Sequence, residues 1–243
     1  MKKMNIKSYW RKRNKKITYG SKKGETMKSE ERLYERIWKK KGIDKEPKIE
    51  KGSRADIALK LLDKGDRLLD IGCGDGTLGY FAKNKYKEVY GVDISEEALK
   101  IAKKRDIIVE KVNLNEEKLP FENEYFDAVT CLDVIEHVFE PRDLIKEINR
   151  VLKRGGILII STPNIRYWHH LFSLIVKGRF PKTSCDTEHW DGGHLHYFTY
   201  KDIELLLNEH GFEVLVKRGV FGREFLKEFL SPGVIIKGKK CLF

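Results

Sequence analysis

Three sets of residues in this 243-residue chain have the types and spacing for chemistry. The first is Asp70-Ile71-Gly72-Cys73-Gly74-Asp75-Gly76, where glycine recurs at alternate positions after an apolar run. Such a loop turns sharply and lets backbone approach a ligand with no Cβ in the way. The second is Asp93, an acid at the end of Val89-Tyr90-Gly91-Val92, about twenty residues past the loop, where parallel-strand geometry sets a carboxylate beside a nucleoside's ribose. A carboxylate accepts from both ribose hydroxyls, which an amide does less well. The third is Asp133, Glu136 and His137, which share one face if their segment is helical. Three roles stay open for that group: lining a ligand pocket, taking a proton from a substrate hydroxyl through neutral His137, or binding a metal.

The glycine spacing narrows the ligand. A dinucleotide loop reads G-x-G-x-x-G/A, but counted from Gly72 the third small position is Thr77, and Gly76 falls one residue early. A phosphate-binding P-loop closes on Lys-Ser/Thr, whereas Gly76 is followed by Thr77-Leu78. Both observations disfavour nicotinamide dinucleotides and nucleoside triphosphates. D-x-G-x-G-x-G with Asp70 at a strand end instead resembles the first motif of class I methyltransferases that use S-adenosylmethionine (SAM). The resemblance implies that Asp70, Gly72, Cys73, Gly74 and Gly76 hold the methionine part and that Asp93 and Ile94 hold the ribose. It gives the adenine to Asn113 and Leu114, with Asn115 a second candidate, and adds Leu132 to the cofactor site.

Local signals place these residues at the ends of alternating elements. Strand-like runs lie up to Ile71 and at Val89–Ser95, Ile107–Leu114, Tyr125–Leu132 and Ile157–Ser161. Between them, Leu78–Lys83 reads as a helix start. Ser95 caps Glu96–Lys104, whose acids come first and cations last, and Pro141 opens Arg142–Leu152 with one apolar face. The chain then gives a helix at Tyr200–His210 stopped by Gly211, a strand at Phe212–Lys217, a short helix at Glu224–Leu230 and a last strand at Gly233–Lys239. Upstream, Ser29–Lys41 has Leu33, Ile37 and Trp38 at helical spacing and reads as a lid or packing helix; Ser53–Leu62 reads as a second, capped helix. The expected fold is α/β: a doubly wound, mostly parallel seven-stranded, Rossmann-like sheet with an antiparallel last strand, as the resemblance also implies.

Further segments resemble the same family: Leu119-Pro120-Phe121, Phe126-Asp127-Ala128-Val129, Glu136-His137-Val138, and Arg150-Val151-Leu152-Lys153 followed by Gly155-Gly156 and Ser161-Thr162-Pro163-Asn164. D-x-x-E-H at Asp133–His137 resembles the magnesium-binding E-x-x-E-H of small-RNA 2′-O-methyltransferases and ubiquinone-pathway O-methyltransferases, and in the RNA-methylating relatives a histidine at the place of His194 completes the metal site. Magnesium is therefore an open expectation. Ile165–Gly193 is longer than a usual connection and rich in aromatic, histidine and arginine side chains, which marks it as the acceptor-choosing segment. With His194-Leu195-His196-Tyr197-Phe198-Thr199 it resembles methyltransferases of glycan and lipid-linked sugar assembly. The expected activity is SAM-dependent methyl transfer to an oxygen or nitrogen of a small-molecule, lipid or glycan acceptor, with His137 the first candidate for proton handling. An RNA methyltransferase and a non-catalytic SAM-binding scaffold are the other readings.

Composition sets the outer limits. Hydrophobic residues make up 40%, enough for a real core, and no apolar run approaches the ~20 residues of a membrane span. The net charge of +12 is concentrated: residues 1–28 hold eleven Lys/Arg and one acid, Glu25. That basic segment, with Tyr9, Trp10 and Tyr19, reads as a solvated tail, an RNA contact or a peripheral contact with an anionic membrane. It lacks the apolar core of a signal peptide, so a cytoplasmic protein is expected. Cys73, Cys131, Cys185 and Cys241 are scattered and read as reduced packing residues. The organisation expected is a basic tail (1–28), an N-terminal helix and linker (29–52), and a methyltransferase domain (53–243) with a substrate-side insertion (165–193).

Overall fold

The computed structural model describes residues 23–41, 46–184, 190–221 and 226–242. Most of the basic tail lies outside these residues, as does Cys185. Seven strands form one sheet, ordered β3 (Ile108–Lys111), β2 (Tyr86–Asp93), β1 (Gly65–Ile71), β4 (Phe126–Leu132), β5 (Leu152–Pro163), β7 (Gly233–Lys240) and β6 (Phe212–Val220). The first five run parallel, and β7 is antiparallel to both of its neighbours. This is the expected α/β sheet with its antiparallel closing strand.

Strand alternation explains the layering. Leu69, Ile71, Val129, Cys131, Leu158 and Ile160 point to one face, where they meet α5 (Pro141–Val151) and α7 (Tyr200–Glu209) through Ile145, Ile148, Ile203 and Leu207. Leu68, Ala128, Ile159 and Ile235 point to the other, against α2 (Arg54–Leu61), α3 (Thr77–Ala82) and α4 (Glu96–Lys104). Both faces are covered, so the central strands read as continuous apolar runs. Ser53 and Ser95 cap α2 and α4, accepting from the Asp56 and Ala98 N–H groups at 3.3 Å. Because the chain builds outward from β1 to β3 and then returns to β4, strand order reverses beside β1. That reversal opens a crevice past the carboxyl ends of the strands.

Three local expectations change. The third strand is only Ile108–Lys111; Val112 turns inward, its N–H donating to the Asp93 carbonyl, and Asn113 begins a turn. Residues 133–138 form turns and not a helix, since Asp133 sits at φ +53° and the His137 N–H closes onto Val134. Lys153–Gly156 lies inside β5, which pairs with β4 from Leu152 onward across a bulge. The N-terminal helix, α1 (Lys23–Lys41), is longer than its apolar spacing marked, and the segment after β5 contains α6 (Trp168–Ile175) and a 3-10 turn at Trp190–Gly193.

Candidate functional site

At the reversal point lies a cavity of about 730 Å³. That is within the ~300–1,000 Å³ usual for sites of drug-sized ligands. Its floor comes from three strand ends. Gly72 and Gly74 follow β1, Asp93 and Ile94 end β2, and Asn113, Leu114 and Asn115 follow β3. These lining residues include seven of the chain's expected cofactor contacts, the second adenine candidate among them.

Gly74 shows why the loop needs glycine. Its φ is +53°, and a Cβ there would lie 2.5 Å from the Trp38 ring, so the absent side chain is what lets α1 close over the loop. Gly76 has a different task. At φ +73° it opens α3, and a Cβ would meet Ala102 at 2.9 Å, so this glycine packs helix against helix away from the cavity.

Asp93 organises the floor. One oxygen accepts from the Gly74 N–H and the other from the Ser95 N–H, each at 2.9 Å, which leaves lone pairs on both oxygens for a ligand. Burial raises its pKa while these backbone donors oppose the shift. The Asn113 side-chain oxygen accepts from the Asn115 N–H at 3.0 Å, and that of Asn115 from the Phe139 N–H at 2.7 Å, so both amides are held in place.

Other expected contacts sit behind the cavity wall. Asp70 is buried and accepts from the Thr130 hydroxyl at 2.7 Å; burial lifts its carboxyl to about 7. It braces β1 against β4 beneath the loop. Cys73 is buried, its thiol pushed well up chiefly by burial, which makes it inert. Neither residue lines the cavity, nor does Leu132.

The opposite wall is chemically different. His137 lines the cavity, with its Nδ1 toward the Gly193 carbonyl at 3.4 Å; a carbonyl only accepts, so Nδ1 carries the proton and Nε2 a lone pair. Burial first, and His194 second, hold its pKa down at about 4. The His194 ring packs against His137 with centroids 4.7 Å apart, and its Nε2 is 4.0 Å from Glu136 Oε1. Glu136 is fully buried and, among the described residues, neither of its oxygens has a hydrogen-bond partner of normal geometry; burial, then Asp133, raises its pKa well above the carboxylate range, with the nearby Thr162 hydroxyl opposing.

Proton counting fixes the second imidazole. Asp191 is buried at φ +53°, and its carboxylate gathers the N–H groups of Thr183 and Ser184, the Thr183 hydroxyl at 2.9 Å and the Tyr197 hydroxyl at 2.9 Å. Those donors hold its pKa low against the opposing effect of burial. Thr183 has one hydroxyl proton and spends it on Asp191, so His194 Nδ1, 2.6 Å from the same oxygen, must be the donor in that contact. His194 Nε2 therefore bears a lone pair toward Glu136.

One donor atom each from Glu136, His137 and His194 lies within 4.8 Å of the others. Turns bring these residues together where a shared helical face was expected. A carboxylate with two neutral imidazoles suits Mn²⁺, Fe²⁺ or Zn²⁺ better than oxygen-seeking magnesium. Asp133, in contrast, is engaged elsewhere: it accepts from Ser161 at 2.7 Å and pairs with Arg54.

Sequence reasoning missed several wall residues. Tyr34 and Trp38 on α1, Arg54 at the start of α2, and Thr183 and Ser184 all line the cavity. Tyr34 and Trp38, within the helix read as a lid, and Thr183 and Ser184, within the acceptor-choosing segment, had a signal. Arg54 had none.

A family model described as a methyltransferase domain matches residues 46–217. An uncharacterized protein of Methanocaldococcus jannaschii is 33% identical over 202 residues, 72% of this chain and 77% of its own length. The ubiquinone biosynthesis O-methyltransferase of Alkalilimnicola ehrlichii is 36% identical over 117 residues, and that of Dechloromonas aromatica 37% over 128 residues. These matches cover 46% and 49% of this chain, and the chain spans only about half of each enzyme's length, 47% and 53%. Among solved structures, a Thermotoga maritima SAM-dependent methyltransferase, described as a possible histamine N-methyltransferase, superposes with a TM-score of 0.59 at 25% identity. That superposition covers 77% of this chain and 87% of the other. A SAM-dependent methyltransferase of Methanosarcina mazei superposes at 0.58 and 26% identity, over 77% of this chain and 98% of the other.

Proposed function

This chain belongs to the class I SAM-dependent methyltransferases, and on that premise we propose that it methylates a hydroxyl oxygen of a small-molecule acceptor. The carrying observation is a single cavity with two unlike walls: a backbone-rich floor ending in Asp93, and a histidine wall at His137 and His194. SAM, when bound, supplies a methyl group already activated by its sulfonium. In this reading the Asp93 oxygens would accept from the ribose hydroxyls, Asn113 and Leu114 would border the adenine, and Gly72 and Gly74 would border the methionine part. Asp70 supports the loop from behind. Holding an acceptor in line and excluding water contributes ~7–11 kcal/mol to lowering such a barrier. A hydroxyl acceptor also has to lose a proton, and His137 is neutral with its Nδ1 toward the Gly193 carbonyl, which leaves the Nε2 lone pair for that purpose. The names of the two ubiquinone-pathway relatives support oxygen as the acceptor atom.

Titration calorimetry with the demethylated product of SAM, followed by transfer from labelled SAM to a panel of phenols, amines and glycans, tests this. Product binding with methylation of the phenols is the expected result. Absence of binding overturns the cofactor site, and transfer confined to amines overturns the oxygen assignment. A second reading has its own observation, the partnerless buried carboxylate of Glu136 beside two imidazole lone pairs. Glu136, His137 and His194 would hold a divalent transition metal, which polarises an acceptor oxygen when bound. Loss of transfer on chelation, with recovery by manganese or zinc in preference to magnesium, is its signature.

A further inference from the structure

None of the eight residues of helix α6 is fully buried. An isolated helix shorter than ~12–15 residues is marginal in water, and this one packs only partly, through His170, Leu171 and Ser173, so it gains little from burial. Its apolar side chains are also ordered. Trp168, Phe172, Ile175 and the following Val176 recur at i, i+4, i+7 and i+8, one stripe, with exposures of 46, 45, 77 and 64%. Phe180, a few residues on, is 49% exposed.

Charge settles what faces this stripe. From Ile165 to Ser184 the chain has no Asp or Glu, and it carries Arg166, Lys177, Arg179 and Lys182. Arg166 is paired with Glu228, but Lys177 and Arg179 flank the end of the stripe on exposed backbone, and the Lys177 ammonium lies 5.6 Å from the Phe172 ring. A short apolar stripe with Trp and Phe, ending in cations and free of acids, is the pattern of a helix lying in the headgroup layer of an anionic bilayer. No helix among the described residues is long and apolar enough to cross one. A protein partner of this chemistry would need acids around an apolar groove, whereas an anionic lipid surface offers both features everywhere. We propose that α6 and the residues up to Phe180 dock this protein peripherally on anionic membranes. The inference does not depend on the methyl-acceptor assignment.

The test is co-sedimentation of the full chain with phosphatidylcholine vesicles, with and without phosphatidylglycerol, at low salt and in about 0.5 M salt, where exposed charges are screened. Binding to the anionic vesicles is expected, with a salt-resistant fraction that the double variant Ile175→Glu/Val176→Glu lowers at least about tenfold. Lys177→Glu/Arg179→Glu should remove the preference for the anionic vesicles. Trp168 emission, taken as the difference from Trp168→Phe, should shift to the blue only when vesicles are added. Because the altered side chains are exposed, unchanged affinity for the SAM product certifies that the variants are folded.

Binding that salt abolishes and the double variant leaves intact belongs to the basic segment 1–28 and overturns the proposal, as does no binding at all. Blue Trp168 emission without vesicles overturns it too: if it depends on protein concentration, a second copy covers the stripe, and if not, the chain's own remaining residues do.

Discussion

The two walls of the cavity solve different problems with different materials. The floor binds through backbone and one carboxylate at the ends of adjacent parallel strands, and its polar groups are mutually satisfied: Asp93 with Gly74 and Ser95, Asn113 with Asn115. The histidine wall is assembled from turns, with Asp133 and Asp191 both at positive φ, and contains a buried carboxylate with no hydrogen-bond partner among the described residues. A satisfied floor can be rigid before its ligand arrives. An unsatisfied wall stores a cost, ~1–3 kcal/mol or more for a buried polar group, that only a proton or an arriving ligand relieves. The difference separates holding from reacting.

The sharpest way to break this division is His137→Ala. Loss of a general base costs typically ~10²–10⁴ in rate, so turnover should fall by at least about 100-fold while affinity for the SAM product stays within about twofold. Equal losses in both would show that His137 belongs to the floor. The pH dependence gives the same separation. With its pKa near 4, His137 stays neutral well below the ordinary 6.5, so the acid limb of the rate profile should lie nearer pH 4 than 6.5. Linkage has the same sign: the unfolded chain binds this proton near 6.5 and the folded one near 4, so stability present above pH 6.5 is lost as pH falls toward 4. Thermal melts across that window, compared with those of His137→Ala, measure it.

Asp93→Ala is the mirror experiment. Two hydrogen bonds to a charged acceptor contribute ~1.5–3 kcal/mol each, so affinity for the SAM product should fall by at least about 100-fold. The loop pinned through Gly74 should loosen as well, seen as faster amide exchange there. A loss below about fivefold in calorimetry would remove Asp93 from ribose binding.

The same division decides what the sequence could show. The floor's lining was legible because Gly72, Gly74 and Asp93 each sit at the end of an apolar run that marks its own strand, while Asn113 came from the family resemblance and not from spacing. Asp70 is the instructive exception. A strand alternates its side chains, and this one turns toward Thr130 on β4 and not toward the cavity, which a linear motif cannot tell. Neither could spacing find Arg54, Thr183 or the role of Asp191, whose partners lie on other elements. The helical geometry expected for Asp133–His137 failed for a local reason: of the residues between β4 and Pro141, Asp133–Val138 are spent on turns, with Asp133 left-handed. Glu136 and His137 still converge with His194, through tertiary contacts that periodicity does not encode.

Within the histidine wall, Thr183→Val tests whether the Asp191–Thr183–His194 chain matters. Removing the hydroxyl frees His194 to carry its proton on either nitrogen. Positioning partners of this kind are worth ~10–100-fold, so a drop of about tenfold in turnover is expected, with Thr183→Ser near wild type. Nitrogen-15 shifts of His194 should show protonated Nδ1 in the wild type and a mixture in Thr183→Val. An unchanged spectrum would reduce Thr183 to a packing residue.

The smallest effect should come from the seam where α1 closes over the floor. Glu35 on this helix accepts from the Glu96 N–H at 2.6 Å, one of the unpaired donors at the start of α4, and Glu31 pairs with Lys111 at 2.6 Å. The Glu31 pair is about 40% exposed on both sides, where such pairs contribute ~0–1 kcal/mol, so Glu31→Ala should barely register. Glu35 meets an orphan backbone group and the positive end of a helix, for ~1 kcal/mol, or about fivefold faster release of the SAM product in Glu35→Ala by stopped flow. Trp38 seated over Gly74 makes α1 part of the floor's closure, so the change should appear in release and leave the chemical step alone. A Glu35→Ala enzyme slowed in single turnover but not in release would mean that α1 serves the reacting wall, and the two-wall division would have to be redrawn around it.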